Sequence, residues 1–289
     1  MNTETPSWTT LVDVDSLGEA LGNEDLVLLD CRAVLTDPPA GARLFAEGHL
    51  PGAFHADLER DLSDMAQAGQ GRHPWPRAED FARTLARWGV TPETQVVAYD
   101  ADNGMYAARA WCLLQMIGHE RAAVLDGGLK AWLAAGLSIE TDAPALRDDV
   151  AAYPGDFAHA RLFDHSDVAA HVQHGGLLVD ARAPERFRGD VEPIDKVAGH
   201  VPGAVNRPFA ANLDADGRFK PRETLFAEFA ELLGGHTPSD MVAMCGSGVT
   251  ACHHLLAMAH AGLQGAKLYK GSWSGWIADP ARPVATGNA

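Results

Sequence analysis

Cysteine is scarce in this sequence. Its 289 residues include four cysteines, at positions 31, 112, 245 and 252, and no two of them form a Cys-x-x-Cys pair. So few cysteines give little support to a disulfide framework or a structural zinc site. We therefore expect a protein of a reducing compartment.

Basic residues and long apolar runs are also in short supply. The 23 lysines and arginines stand against 39 acidic residues, which gives a formal net charge of −16. A surface of this charge repels nucleic acid and acidic lipid head groups, so neither is an expected partner. No apolar run is long enough to cross a bilayer, and residues 1–6 lack the pattern of a secretory signal. A cytoplasmic location is therefore predicted.

What the sequence does contain is an internal repeat. Several segments of the first half return in the second half, 144 to 151 residues later. The clearest pairs are 30–32 with 180–182, 48–53 with 199–204, and 96–100 with 241–245. A near-constant spacing over most of the chain implies gene duplication, and a chain of this length can form two domains of ordinary size.

Each half alternates short apolar runs of strand character with longer helical patterns. The predicted strands include 27–29, 96–99 and 123–125, and the predicted helices include 78–88 and 222–233. This alternation predicts the α/β class, with a parallel sheet flanked by helices in each domain. We place the first domain at residues 1–140 and the second at 159–289. Between them, residues 141–158 are rich in Asp, Ala and Pro and predict a surface linker.

The segment most informative about chemistry begins at Cys245. An apolar strand pattern precedes it and a helical pattern follows it, and Gly246 and Gly248 allow the intervening loop to curl. Backbone N–H groups of such a loop, together with the dipole of the helix, form a nest that stabilises a thiolate. We therefore predict that Cys245 is a nucleophile, the alternative being a small buried side chain at a strand end.

The other cysteines and a histidine pair have simpler interpretations. Cys31, Cys112 and Cys252 lie in apolar or helical stretches and are expected to serve packing, although Cys252 could lie close enough to Cys245 to oxidise with it. Adjacent histidines on a helix point in different directions, so His253 and His254 are expected to make solvent or capping contacts and not to bind a metal.

These motifs resemble those of the tandem-domain rhodanese and 3-mercaptopyruvate sulfurtransferase family over nearly the whole chain. They comprise Asp-x-Arg, Gly-His-x-Pro-Gly-Ala, the loop 245–250 and the closing segment 271–276. The loop Cys-Gly-Ser-Gly-Val-Thr is similar to that of the mercaptopyruvate branch, since the thiosulfate branch carries two basic residues after the cysteine. Extra positive charge suits the thiosulfate dianion better than a monocarboxylate.

The resemblance implies site residues at matching positions. Ser247 would relay a proton, with Glu59 and His73 of the first domain as its partners across an interdomain cleft, and the loop residues Gly246, Gly248, Val249 and Thr250 would bind substrate. Arg186 and Arg188 would hold the substrate carboxylate, their alternative being surface ion pairs. His73 could equally be an ordinary loop histidine. A further arginine of the family has no match within residues 191–197.

The expected reaction transfers sulfur from 3-mercaptopyruvate through a Cys245 persulfide to a thiol such as thioredoxin or a low-molecular-weight thiol, or to cyanide. No metal or organic cofactor is expected. A thiosulfate:cyanide sulfurtransferase is the nearest alternative, and a phosphatase would need an arginine after Thr250. A non-catalytic sulfur carrier or anion-binding module is an alternative of another class. Because Asp100 replaces the cysteine, the first domain is expected to be inactive and to lack an anion nest.

Overall fold

The chain is described by a computed structural model that covers residues 7–148 and 150–288. The prediction that no secretory signal is present concerns residues 1–6, which lie outside these ranges. The described chain divides into two compact units. Unit 1 contains residues 7–63, 76–157 and 215–219, and unit 2 contains residues 64–75, 158–214 and 220–288.

Unit 1 is built on a five-stranded, entirely parallel sheet. Its strands are β1 (Leu11–Val12), β2 (Leu26–Asp30), β3 (Ala53–His55), β4 (Gln95–Tyr99) and β5 (Ala122–Leu125), in the spatial order β1-β5-β4-β2-β3. Its helices are α1 (Val14–Ala20), α2 (Ala40–Glu47), α3 (Ala78–Arg87), α4 (Ala107–Met116) and α5 (Gly128–Ala134). All five residues of β4 are buried, as expected for the central strand of a sheet covered on both faces.

Unit 2 repeats this architecture. Its strands are β6 (Leu162–Phe163), β7 (Leu177–Asp180), β8 (Val205–Asn206), β9 (Met241–Met244) and β10 (Lys267–Tyr269), in the order β6-β10-β9-β7-β8. Its helices are α6 (His165–Gln173), α7 (Pro184–Arg188), α8 (Arg222–Leu233), α9 (Ala251–His260) and α10 (Ser272–Trp276), with short 3-10 helices at His159–Arg161, Phe209–Asn212 and Pro238–Asp240. The predicted α/β class and the duplication are confirmed.

The repeated motifs hold each sheet to the segment beside it. In unit 1, Arg32 pairs with Asp30 at 2.6 Å and donates to the carbonyl of Gly48 at 2.7 Å. In unit 2, Arg182 pairs with Asp180 at 2.7 Å and donates to the carbonyl of Gly199, also at 2.7 Å. Each buried guanidinium thus satisfies both a carboxylate and a backbone acceptor, which the burial of a charge requires.

The two units exchange short segments: one from the first half of the chain belongs to unit 2, and one from the second half belongs to unit 1. Residues 64–75 belong to unit 2 and residues 215–219 to unit 1, which a single boundary along the sequence does not describe. The domain limits at 140 and 159 stay a prediction. The described residues of 141–158 contain no helix or strand. Yet Tyr153 and Phe157 are buried, and the Tyr153 N–H donates to the carbonyl of Ala82 on α3, so this segment packs onto unit 1.

Among residues 7–148 and 150–288, no helix has both the length and the apolarity needed to span a membrane.

Candidate active site

Cys245 lies in unit 2 directly after the central strand β9, and its loop leads into α9. The carboxyl end of a parallel strand is where open α/β sheets bind ligands. The cysteine is 2% exposed, and its Sγ accepts the backbone N–H of Gly248 at 3.2 Å. Gly248 has a φ of +80°, a left-handed conformation that aims its N–H back at the sulfur and that other residues adopt with strain. At least one donor of the predicted nest is therefore in place.

The start of α10 supports this loop from behind. The Ser272 hydroxyl accepts the Cys245 N–H at 3.1 Å and donates to the carbonyl of Tyr269 at 3.0 Å. The N–H groups of Trp273 and Ser274 donate to the carbonyls of Cys245 and Gly246, each at 2.9 Å. These bonds hold the backbone of Cys245 and Gly246 against the start of α10.

Ser272 is a positioning residue that the sequence did not single out. Among the described residues it is the one non-glycine with a positive φ, at 48°. Such a conformation costs about 1 kcal/mol or more and persists where surrounding contacts determine it. The closing motif 271–276, which contains Ser272, was the signal that could have found it.

The structure brings together two of the predicted relay residues. His73 belongs to the segment 64–75 of unit 2, and its Nδ1 lies 2.9 Å from the Ser247 hydroxyl. His73 is 2% exposed and Ser247 6% exposed, so this hydrogen bond is shielded from solvent. The pair lies within one compact unit. Its role in proton transfer stays a prediction.

Glu59, the third predicted member, lies in unit 1 in the turn after Leu58. Its backbone N–H donates to the Asp57 carboxylate at 3.0 Å, and the residue is partly exposed. Its proposed partnership with His73 stays a prediction.

The two predicted substrate-binding arginines have different surroundings. Arg186 is 16% exposed, and its guanidinium donates to Glu192 at 2.7 Å and to Asp195 at 3.1 Å. Its Nη1 lies 3.7 Å from the position that a Cβ on Gly246 would occupy, so it faces the loop. Arg188 instead forms an ion pair with Asp190 at 2.7 Å, in which both side chains are about a third exposed or more. This contact is the surface ion pair considered as its alternative.

The carboxylate beside Arg186 is ionised. Burial disfavours the charge of Glu192, but hydrogen bonds from Arg186 and from the N–H groups of Asp195 and Ile194 hold the pKa of Glu192 below its usual value. The charge of Arg186 is therefore balanced locally. A substrate carboxylate would have to be recognised by the N–H groups left free on the guanidinium more than by excess positive charge.

The last loop residues begin the helix. Val249 is buried, and its carbonyl accepts the Cys252 N–H at 3.1 Å, while the carbonyl of Thr250 accepts the His253 N–H at 3.2 Å. Their contribution to substrate binding stays a prediction.

The remaining cysteines are buried. Cys31 and Cys112 are at most 1% exposed, and burial raises the pKa of Cys31 well above its ordinary value, which leaves it as an unreactive thiol. Cys252 is 0% exposed and donates its thiol to the carbonyl of Gly248 at 3.2 Å. The same glycine thus contacts both Cys245 and Cys252.

The expectation of solvent or capping contacts for the histidine pair is wrong. His253 and His254 are 0% exposed, and both rings lie within 3.0 Å of the Asn212 side-chain amide. The Nε2 of His254 also contacts the carbonyl of Arg207 at 2.7 Å, and burial lowers the pKa of His254 to about 3. Both rings are core residues because Asn212 and α8 cover this face of α9. Within the described ranges, no three His, Cys, Asp or Glu side chains converge as a metal site.

The expectation that unit 1 lacks an anion nest is also wrong. Asp100 follows β4 as Cys245 follows β9, and its buried carboxylate accepts four backbone N–H groups, from residues 102, 104, 106 and 107, at 2.8 to 3.3 Å. Burial raises the pKa of Asp100, and these four bonds oppose that shift. The loop of unit 1 is therefore a nest occupied by its own carboxylate, which leaves no room for a second anion.

Known proteins resemble this chain in sequence and in fold. The family model described as the rhodanese-like domain matches residues 13–135 and 164–279. A Pseudomonas aeruginosa protein named "Probable 3-mercaptopyruvate sulfurtransferase" is 49% identical over 96% of this chain and 98% of its own. A Mycobacterium tuberculosis protein with a provisional name as a thiosulfate sulfurtransferase is 42% identical over 94% and 95%. The crystal structure of an Escherichia coli 3-mercaptopyruvate sulfurtransferase is 31% identical with a TM-score of 0.75, covering 92% of this chain and all of that one.

Each of the two family matches spans most of one parallel sheet, and each relative aligns over nearly its full length. The chain therefore belongs to the rhodanese family and is a two-domain sulfurtransferase.

Proposed function

We propose that this protein transfers sulfur from 3-mercaptopyruvate to a thiol acceptor through a persulfide on Cys245. The observation that carries the proposal is the geometry of Cys245, whose sulfur receives the Gly248 N–H in a buried loop next to the His73–Ser247 pair. The names of the mercaptopyruvate sulfurtransferases to which the chain is similar support the choice of donor.

In the first half-reaction the Cys245 thiolate attacks the sulfur of 3-mercaptopyruvate. A sulfur–sulfur bond forms, the carbon–sulfur bond breaks, and its electron pair leaves as the enolate of pyruvate. The enolate takes up a proton to become pyruvate. Ser247 can deliver that proton because His73 is within hydrogen-bonding distance to resupply it.

In the second half-reaction a thiolate acceptor attacks the outer sulfur of the persulfide. The sulfur–sulfur bond breaks and Cys245 leaves as a thiolate, ready for another donor. The Gly248 N–H stabilises the anionic sulfur in both states, replacing the solvent that burial removes. Thioredoxin or a low-molecular-weight thiol fits the acceptor role, and cyanide would serve in vitro. We propose that the protein is cytoplasmic and that its partners include neither nucleic acid nor a membrane.

Thiosulfate is the alternative donor, favoured by the name of the Mycobacterium tuberculosis relative. The loop 246–250 contains no basic residue, and the charge of Arg186 is balanced by Glu192. The thiosulfate dianion therefore finds no excess positive charge in this loop to balance its own. A monocarboxylate can be bound by correctly oriented N–H donors alone.

Measuring kcat/KM for both donors with one thiol acceptor tests this proposal. We expect pyruvate release with mercaptopyruvate and a larger specificity constant for it than for thiosulfate. A larger constant for thiosulfate would make the protein a thiosulfate sulfurtransferase. A stable sulfur adduct without turnover with either donor would make it a sulfur carrier.

A further inference from the structure

The segment 190–197 of unit 2 buries acidic side chains and exposes aliphatic ones. The side chains of Glu192 and Asp195 are each only 4% exposed. Three aliphatic residues of the segment are instead 38% to 52% exposed, namely Val191, Ile194 and Val197. We call these three side chains the aliphatic rim. Acidic side chains are rarely buried and aliphatic ones usually are, so this segment is the reverse of a typical surface loop.

Ion pairs hold the two acidic side chains inward. Glu192 accepts the Arg186 guanidinium at 2.7 Å. Asp195 accepts Arg186 at 3.1 Å and Arg72 at 2.6 Å. The segment contains no helix or strand, so these bonds set which of its side chains point outward. Polar residues could replace the aliphatic rim without loss of any of these ion pairs, and packing within the unit therefore does not account for the rim.

The aliphatic rim is joined directly to the cysteine loop. The carbonyl of Val197 accepts the indole N–H of Trp273 at 2.9 Å, and the backbone N–H of Trp273 donates to the carbonyl of Cys245, also at 2.9 Å. At the other end of the segment, Arg186 has its Nη1 3.7 Å from the position that a Cβ on Gly246 would occupy. The rim therefore belongs to the surroundings of the residue that carries the sulfur.

The charges around the rim do not repel an acidic partner. The chain has a net charge of −16, but the exposed Asp190 is paired with Arg188 at 2.7 Å, and the other two carboxylates of the segment are buried in ion pairs. Lys196 is exposed and takes part in none of the ion pairs formed within residues 7–148 and 150–288. The rim thus lies beside one unbalanced positive charge, which attracts acidic groups of a partner.

The transfer step decides which partner suits this face. The acceptor thiolate forms a bond to the outer sulfur of the persulfide while the bond from that sulfur to Cys245 breaks, which leaves an acceptor persulfide and the Cys245 thiolate. Because Cys245 is buried, the acceptor thiol must enter the loop. A low-molecular-weight thiol can enter without touching the surface outside. A protein thiol can enter only if the two protein surfaces come into contact, and exposed apolar side chains stabilise that contact by leaving water.

We propose that the aliphatic rim, with Lys196 beside it, is the docking surface for a protein thiol acceptor. This inference rests on the proposed function. The partner that fits is a small protein whose reactive thiol lies in an apolar surface and whose neighbouring charged residues are acidic. Its association is transient, because three aliphatic side chains are too few for a permanent interface, and turnover requires the acceptor to leave.

A comparison of two acceptors tests the inference in the full-length protein. With saturating 3-mercaptopyruvate, kcat/KM is measured for thioredoxin, a small protein with a reactive Cys-x-x-Cys thiol, and for dithiothreitol. The proteins compared are the unmodified chain, Ile194→Asp, Val191→Ser and Leu133→Asp. Leu133 is a matched control, because it is an aliphatic residue 49% exposed on α5 of unit 1.

We expect Ile194→Asp to lower kcat/KM for thioredoxin about 10-fold or more, because docking would then bury a carboxylate without a partner. Val191→Ser should lower it by a smaller factor, about 2- to 5-fold, since it removes only apolar contact area. With dithiothreitol both rim variants should match the unmodified protein, which shows that the loop and the fold are intact. Leu133→Asp should match the unmodified protein with both acceptors.

Unchanged constants for thioredoxin in both rim variants would overturn the inference, as would an unmodified protein that accepts dithiothreitol but not thioredoxin. An equal loss with both acceptors would also overturn it, because the rim would then act on the loop and not on the partner. If size-exclusion chromatography showed a dimer that Ile194→Asp dissociates, the occupant would be a second copy of the chain. Failure of the proposed function is a different result: the unmodified protein would release no pyruvate from mercaptopyruvate with either acceptor.

Discussion

The occupied nest of unit 1 gives a prediction that joins stability to function. In Asp100→Ala, the four N–H groups that the carboxylate accepts lose their acceptor in a site where Asp100 is 2% exposed. Each unsatisfied donor costs about 1–3 kcal/mol, although losses of neighbouring bonds are not additive. Burial disfavours the carboxylate and so offsets part of this cost. We expect a net loss of about 2–4 kcal/mol in the free energy of unfolding.

Guanidinium titration followed by circular dichroism measures this change. Asp102→Ala is the control, because its side chain is exposed and the substitution leaves the Asp100 bonds intact, so it should change the free energy by less than about 0.5 kcal/mol. Folded Asp100→Ala should still carry one persulfide sulfur per chain and turn over like the unmodified protein. Unchanged stability would refute the reasoning about the nest, and two sulfurs per chain would refute the inactivity of unit 1.

Two further predictions concern buried groups of known position. Cys245→Ser should abolish sulfur transfer, whereas Cys31→Ser, Cys112→Ser and Cys252→Ser should keep substantial activity in the same assay; a second inactive variant would contradict a single nucleophile. Burial lowers the pKa of His254 from 6.5 to about 3. Between these two pH values the imidazole is protonated in the unfolded chain but not in the folded one, so the free energy of unfolding decreases as the pH falls below 6.5. Relative to His254→Gln, the unmodified protein should lose about 2 kcal/mol more between pH 7 and pH 5, measured by urea titration. An equal loss in both proteins would contradict the assignment.

Much of the fold could be predicted because its signals are local. The helix predicted at 222–233 has these bounds in the structure, and the predicted strand 96–99 differs from β4 by one residue. The spacing of apolar residues predicts which face of a helix or strand is buried, and a repeat of several motifs predicts two domains of similar fold. The position of Cys245 at the end of β9 followed from the same local pattern.

The errors came from contacts between residues distant in sequence. The burial of His253 and His254 depends on Asn212, some 40 residues earlier, and nothing in α9 itself indicates that neighbour. In the same way, Arg72 reaches Gly246 through the segment 64–75, which has no helix or strand and therefore no periodic signal. Irregular segments are placed by tertiary hydrogen bonds, and these cannot be read from composition or spacing.

The acidic residues of the first loop were misjudged for a related reason. Repulsion between Asp100 and an anion was anticipated, but the backbone N–H groups that Asp100 gathers were not. A carboxylate at a strand end can itself fill an anion nest, as Asp100 does here.

The persulfide on Cys245 is the central claim, and native mass spectrometry after one exposure to 3-mercaptopyruvate tests it most directly. The account predicts a gain of one sulfur atom per chain, located on the peptide that contains Cys245, with one pyruvate released for each sulfur bound. A subsequent thiol should remove that sulfur and restore the original mass. Pyruvate release without a sulfur adduct on Cys245, or an adduct located on another cysteine, would contradict the account.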